Sequence, residues 1–219
     1  MQSPLSATQF ELSECERERL EEADGLVVEI YAEAELPTRF GKFRVVAFVN
    51  NHDFKEHVAI IRGEVDGSES VPTRLHSECV TGDVFGSLKC DCGEQLERAL
   101  ELVADSEQGI ILYMRQEGRG IGLANKIKAY SLQDQGMDTV EANLHLGFDD
   151  DLRDYTVAAE MLHLLGVESI ELITNNPRKV EGLEEEGVVI AQRRPIKVLP
   201  NPHNVRYLET KRKKSGHLL

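Results

Sequence analysis

The stretch "EQLERALELVADSEQGIILYMRQEGRGIGL", residues 94–123, changes period twice within thirty positions. Leu96, Ala99, Leu100 and Val103 recur at helical spacing. "GIILYM" (109–114) is then a short unbroken apolar run, and a glycine-rich turn follows it. A helix, a buried strand and a turn into another helix are the repeating unit of an α/β sheet. The same unit continues downstream. "LANKIKAYSLQDQG" reads as a helix stopped by Gly136, and "DYTVAAEMLHLLG" as one stopped by Gly166. "SIELIT" is a strand, "NNPRKVEGLEEEG" a helix with an asparagine cap and Pro177 in its first turn, and "VVIAQ" the last strand. Upstream the pattern differs. "LVVEIYAEAEL" (26–36), "FRVVAFVN" (43–50), "HVAIIRGEV" (57–65) and "SVPTRLHSE" (70–78) are β-like runs with polar or glycine breaks between them. The expected fold is one compact α/β domain, with a mixed sheet formed by the β-rich first third and the alternating remainder.

Three segments are expected along the chain: an extension at residues 1–25, a main folded domain at 26–200 and a polar tail at 201–219. Ser13 and Glu16 form a candidate capping box for a short helix, Ser13 to Ala23, without a clear apolar stripe. The basic run Lys211 to Lys214 reads as a solvated tail. A net charge of -14 argues against a general nucleic-acid binder. No apolar run reaches membrane-spanning length, and the N-terminus has neither the basic nor the apolar region of a signal peptide, so no membrane association and a cytoplasmic location are expected. Clustered thiols in that compartment are metal ligands or catalytic groups more often than disulfides.

Such a cluster lies in "LHSECVTGDVFGSLKCDCGEQLE" (75–97), as Cys79-x10-Cys90-x-Cys92. Residues two apart on a strand face opposite ways, so Cys90 and Cys92 share a metal only if the backbone turns at Asp91 and Gly93. Thiolates suit zinc. Spacing leaves two arrangements open: a structural site closed by a fourth ligand such as His76, or an open catalytic site whose fourth position holds water. Ordinary buried or redox cysteines are the remaining reading. "RQEGRGIGL" (115–123) runs G-x-G-x-G and matches neither the dinucleotide fingerprint nor the P-loop. Its small residues, its helix start and Arg115 and Arg119 still suit an anion. "FDDDLRDYT" (148–156) sets four carboxylates around Arg153, and "ITNNPRKV" (173–180) places Thr174, Asn175 and Lys179 at a strand end, where ligands of α/β sheets gather.

Together, and in this order, these segments resemble GTP cyclohydrolase II over roughly residues 27–219. The resemblance implies a catalytic zinc on Cys79, Cys90 and Cys92 with water as fourth ligand. It places GTP contacts on Arg74, Leu75, His76, Ser77, Glu78, Gln95, Glu117, Gly118, Arg119, Thr139, Thr174 and Lys179. Asp151 matches the family's general base, Arg153 its proposed nucleophile, and Tyr130 a tyrosine near the reaction centre. It further implies Mg2+ with the triphosphate, a homodimer, and a stand-alone form without the fused synthase domain of bifunctional relatives. The implied reaction opens the imidazole ring of GTP and releases formate and diphosphate. Rival readings are an enzyme that stops at the formamide and a zinc-stabilised nucleotide-binding module without turnover. Arg153 as a charge stabiliser, and Glu117 or Glu78 as the carboxylate that reads guanine, are left open.

Overall fold

The computed structural model describes residues 14–149, 151–214, 216 and 218. Helix α1 (Glu14–Glu21) precedes strands β1 (Val28–Thr38), β2 (Gly41–Asn50), β3 (His57–Arg62) and β4 (Val71–Ser77). Helices α2 (Val80–Asp83) and α3 (Cys92–Ala104), strand β5 (Gly109–Met114) and a 3-10 turn at Glu117–Gly120 follow. Then come α4 (Gly122–Asp134), α5 (Thr139–His145), α6 (Thr156–Leu164), β6 (Ile170–Ile173), α7 (Pro177–Glu185), β7 (Ile190–Arg194) and α8 (Val205–Lys214).

The strands form one mixed sheet in the order β1-β2-β3-β5-β4-β6-β7. The β1–β2, β2–β3 and β3–β5 pairs are antiparallel. The β5–β4, β4–β6 and β6–β7 pairs are parallel. Short turns can join only antiparallel neighbours, whereas parallel neighbours need a crossover, and the helices of the second half supply it. Strand β4, last of the β-rich third, lies inside the parallel half. Ile110, Ile111 and Leu112 of β5 are all fully buried, because helices cover both faces of the sheet there. Ile111 packs with Ala99 and Val103 of α3 and with Phe43 and Ile173. On the opposite face Leu112 and Met114 join Val46, Phe48 and Ile61 beneath Ala158, Met161 and Leu162 of α6 and Leu183 of α7.

Side-chain caps explain the starts of α7 and α5. Asn176 caps α7 by accepting from the Arg178 backbone N–H at 3.1 Å, with Pro177 at the first helical position. In α5, which the apolar periodicity did not reveal, Asp138 and Glu141 form a reciprocal capping box. Ser13 of the anticipated N-terminal box lies outside the described residues. Leu20 of α1 is buried and Arg19 forms a two-point ion pair with Glu29 at 2.7 and 2.6 Å.

The tail departs from its sequence reading. Residues 205–214 form α8, and Lys211 is buried rather than solvated. Leu208 and Lys211 are three apart and share one helix face, so the first basic residue is carried inward, where its Nζ meets Asp91 Oδ1 at 2.6 Å. Arg212 and Lys213 remain exposed.

The chain passes from β4 to β5 on one side, then crosses back to β6 on the other side of β4. A reversal of this kind opens a crevice beyond the carboxyl ends of the strands. The segments after β4, β5 and β6 all enter that crevice.

Candidate active site

Cys79 follows β4 and caps the start of α2, Asp91 caps α3, and Cys92 is the first residue of α3. The backbone therefore turns between Cys90 and Cys92, as shared ligation requires. The three sulfurs lie within 4.8 Å of one another, with Cys79 and Cys90 at 3.6 Å. Gly82 of α2 lies against them: a Cβ there would stand 2.9 Å from Cys90 Sγ and 3.2 Å from Cys79 Sγ. The protonation pattern also fits a cation. Hydrogen bonds from Cys90 and Cys92, with Lys126 Nζ 3.1 Å away, pull Cys79 far down. The hydrogen bond to that thiolate in turn pushes Cys90 up to about 11 and drives Cys92 well up. One sulfur ionises and its neighbours resist, a repulsion that a divalent ion relieves. His76, the candidate fourth ligand, is outside the cluster, with its Nε2 3.2 Å from Asp83.

Beside the sulfurs lies a cleft rich in buried cations. Arg74 donates from Nη1 to the Ile173 carbonyl at 3.0 Å and from Nη2 to Gln95 Oε1 at 2.6 Å. Gln95 Nε2 donates to Asp91, which also pairs with Lys211. Burial lowers Arg74 to about 10. Lys179 of α7 donates from Nζ to the Leu75 carbonyl at 2.7 Å and is depressed well below the usual lysine range, by burial first and then by Arg74, Arg153 and Lys211. Four cations confined together need an anion, and a polyphosphate supplies one.

The turn after β5 forms another wall. Gly118 and Arg119 both take left-handed φ of 63°, which glycine adopts freely and arginine does not. Glu117, at its start, is buried and fully engaged. It accepts from Val80 N at 2.7 Å, from Gly118 N at 2.8 Å and from Lys126 Nζ at 2.7 Å. Glu78, by contrast, is half-buried, its carboxyl raised by burial, and its side chain has no hydrogen bond among the described residues.

Asp151 grips Arg153, accepting from Nε at 2.7 Å and from Nη2 at 2.5 Å. Burial works against both charges, yet the pair's own hydrogen bonds prevail: Asp151 is held below the carboxylate range and Arg153 above its usual value. Asp150, another carboxylate of that stretch, lies outside the described residues. Tyr130 of α4 has its hydroxyl 3.3 Å from Thr81 Oγ1, which is 3.6 Å from Cys79 Sγ.

The cleft is lined by Arg74, His76, Ser77, Glu78, Gln95, Glu117, Gly118, Arg119, Tyr130, Thr139, Arg153, Thr174 and Lys179 together with the three cysteines. Two expected residues do not line it. The Leu75 side chain points into the core, and only its carbonyl serves Lys179; Asp151 stands behind Arg153. Lys126, Tyr207, Asn143 and Lys211 line it without having been anticipated. The i,i+4 relation of Lys126 to Tyr130 on one helix was the available signal for Lys126. Nothing local marks Tyr207 or Lys211.

Fold and site define a class: an α/β domain whose strand-order reversal carries a three-cysteine cluster able to hold a metal ion beside a cationic cleft. A family model described as GTP cyclohydrolase II matches residues 29–195. GTP cyclohydrolase-2 of Proteus mirabilis (strain HI4320) is 53% identical over 188 residues, covering 86% of this chain and 94% of that protein. Cronobacter sakazakii GTP cyclohydrolase-2 is 56% identical, covering 86% and 95%. The riboflavin biosynthesis protein RibBA of Bacillus subtilis (strain 168) is 55% identical over 194 residues, covering 88% of this chain but 49% of that protein. The chain thus spans about half the length of the RibBA relatives and nearly all of the GTP cyclohydrolase-2 relatives. It belongs to the GTP cyclohydrolase II family.

The cradle at Gly82 yields a prediction. Gly82→Ala should weaken metal retention by about tenfold or more, because the sulfurs must move off a common centre. Metal analysis after dialysis against a graded chelator checks this; wild-type retention would refute it.

Proposed function

We propose that this chain hydrolyses GTP, opening the imidazole ring at C8 with release of formate and diphosphate, to give 2,5-diamino-6-(5-phospho-ribosylamino)pyrimidin-4(3H)-one, the first step of riboflavin biosynthesis. One observation carries the reading: in a chain of this family, the sulfur cluster and the buried cations face a single cleft. A nucleotide can therefore present its base to one and its triphosphate to the other. The donor set suits Zn2+, held by Cys79, Cys90 and Cys92, and zinc bound there would supply Lewis acidity and activate water near neutral pH. Mg2+ would arrive with the triphosphate, since the cleft offers phosphate-binding cations rather than an oxygen cage. A cytoplasmic location and a homodimer are part of the same proposal; no described helix is long and apolar enough to cross a membrane.

The chain's own residues divide the work. Arg74, Lys179, Lys211 and Arg119 receive the phosphates. Lys126, close to Cys79, holds the thiolate in its charged form. Tyr130 is placed to pass a proton at the ring-opening end. Glu78 reads the guanine N1–H and 2-amino group, because Glu117 is already occupied by backbone and Lys126. A site built for those donors rejects adenine.

Arg153 acts as a charge stabiliser. Its bidentate pair with Asp151 keeps the guanidinium protonated, and a protonated guanidinium has no free lone pair for attack. Its role is to neutralise charge on the departing diphosphate.

Four outcomes are expected. Purified protein should release formate and diphosphate together from GTP, whereas diphosphate without formate would mean an enzyme that stops at the formamide. Cys90→Ser should stop ring opening while nucleotide binding survives; if wild type binds GTP and never consumes it, the non-catalytic module is the correct reading. Glu78→Gln should cost guanine recognition about tenfold in KM, as expected for a half-buried charged acceptor lost against two donors, and an unchanged KM removes Glu78 from base reading. For Arg153, Arg153→Ala should slow diphosphate release about a hundredfold or more, with Arg153→Lys retaining part of the rate. A guanylyl adduct on Arg153, trapped by acid and found by mass spectrometry, would instead establish it as the nucleophile.

A further inference from the structure

Asp83 is the last residue of α2, and the site described above gives it no task. Its side chain is 3% exposed. Oδ2 accepts the Cys79 backbone N–H at 2.9 Å and the Tyr113 hydroxyl at 2.8 Å. His76 Nε2 lies 3.2 Å from each carboxylate oxygen. The imidazole is itself 2% exposed and stacks on Tyr113, with centroids 5.5 Å apart and planes 20° apart. Its other nitrogen, Nδ1, is buried and has no hydrogen-bond partner among the described residues, although His76 lines the cleft.

A carboxylate can only accept, so the ring nitrogen facing it carries the proton. Burial outweighs the opposing pull of the Asp83 carboxylate and, with the charges of Arg74 and Lys179, holds His76 below the usual histidine range. Nδ1 is then a bare lone pair, and a buried acceptor left unpaired is costly until a ligand supplies a donor. Resting on the reading that this cleft binds GTP, we propose that Asp83 is a positioning residue: it holds His76 as the Nε2–H tautomer, so that Nδ1 offers an acceptor to a hydroxyl or N–H of the bound nucleotide.

Asp83→Asn tests this almost without change of shape. Two donors, Cys79 N–H and Tyr113 O–H, converge on the Oδ2 position, so the amide oxygen must take that place. The NH2 then faces His76 Nε2 and forces the proton to Nδ1. An acceptor toward the substrate becomes a donor, the logic by which an Asp→Asn change disables a catalytic triad. Tyr113→Phe leaves the Cys79 N–H on Oδ2 and should keep the original tautomer.

The experiment joins 15N-histidine NMR of the whole zinc-loaded protein with GTP kinetics and metal analysis. Wild type should show an unprotonated Nδ1 that shifts when a non-hydrolysable GTP analogue binds. Asp83→Asn should show the reverse tautomer, full metal content and a kcat/KM lower by about ten- to a hundredfold. The proposal is overturned by a protonated Nδ1 in wild type, by an Nδ1 signal that ignores the nucleotide, by a flipped tautomer with unchanged kcat/KM, or by activity lost only in proportion to metal. Should Asp83→Asn fail to fold, the two wild-type measurements still decide. If wild type neither binds nor consumes GTP, the function proposed above fails and this role with it. If wild type turns over GTP and Asp83→Asn does so equally, only the role of Asp83 fails.

Discussion

The mutual repulsion of buried cations is the constraint around which this cleft is organised. Arg74, Arg153, Lys179 and Lys211 are all withdrawn from water beside one cleft. Each is secured differently. Arg74 has a carbonyl and Gln95, Arg153 has Asp151, Lys211 has Asp91, and Lys179 has only a backbone carbonyl. Lys179 is accordingly the one whose charge is most disfavoured. Holding such groups together without an anion costs stability, and a fold keeps the arrangement where ligand binding recovers it.

The sulfur cluster depends on the same packing by another route. Glu117, at the start of the turn after β5, accepts the backbone N–H of Val80 and so ties that turn to α2. Through Lys126 it also reaches the Cys79 sulfur. Asp83 ties α2 back to β4 and β5 through His76, Tyr113 and the Cys79 amide. The sulfur cluster, the cleft wall and the sheet thus share one hydrogen-bonded network. Among the described residues, the buried atoms Arg74 Nε, His76 Nδ1, Ser77 Oγ and Gln116 Oε1 have no partner, and all four belong to residues that line the cleft.

Much of the fold was legible in the chain because its signals are local. The apolar run Gly109–Met114, the Leu96–Val103 stripe and the Asn176–Pro177 start are written in neighbouring residues, and each element stands where they place it. The turn at Cys90–Cys92 was legible only as a condition of shared ligation, and the start of α3 at Cys92 supplies it. Helix α8 was not legible. Its composition is polar, and the buried charge of Lys211 is stabilised by Asp91, 120 residues earlier.

The sequence by itself determined the strands and the helices α3, α4, α6 and α7, the thiol cluster, the candidate charges and, through the order of its motifs, the family. Those properties depend on residue identity and short spacing. Only the tertiary structure decided which of these groups face the cleft and which are engaged elsewhere. It turned Leu75 into the core, placed Asp151 behind Arg153, engaged Glu117 and left Glu78 open, and brought Lys211 into the cleft. The physical reason is that availability for chemistry is what remains after backbone amides and buried charges have found partners. That remainder is set by contacts between segments far apart in the chain, across the reversal of strand order at β4.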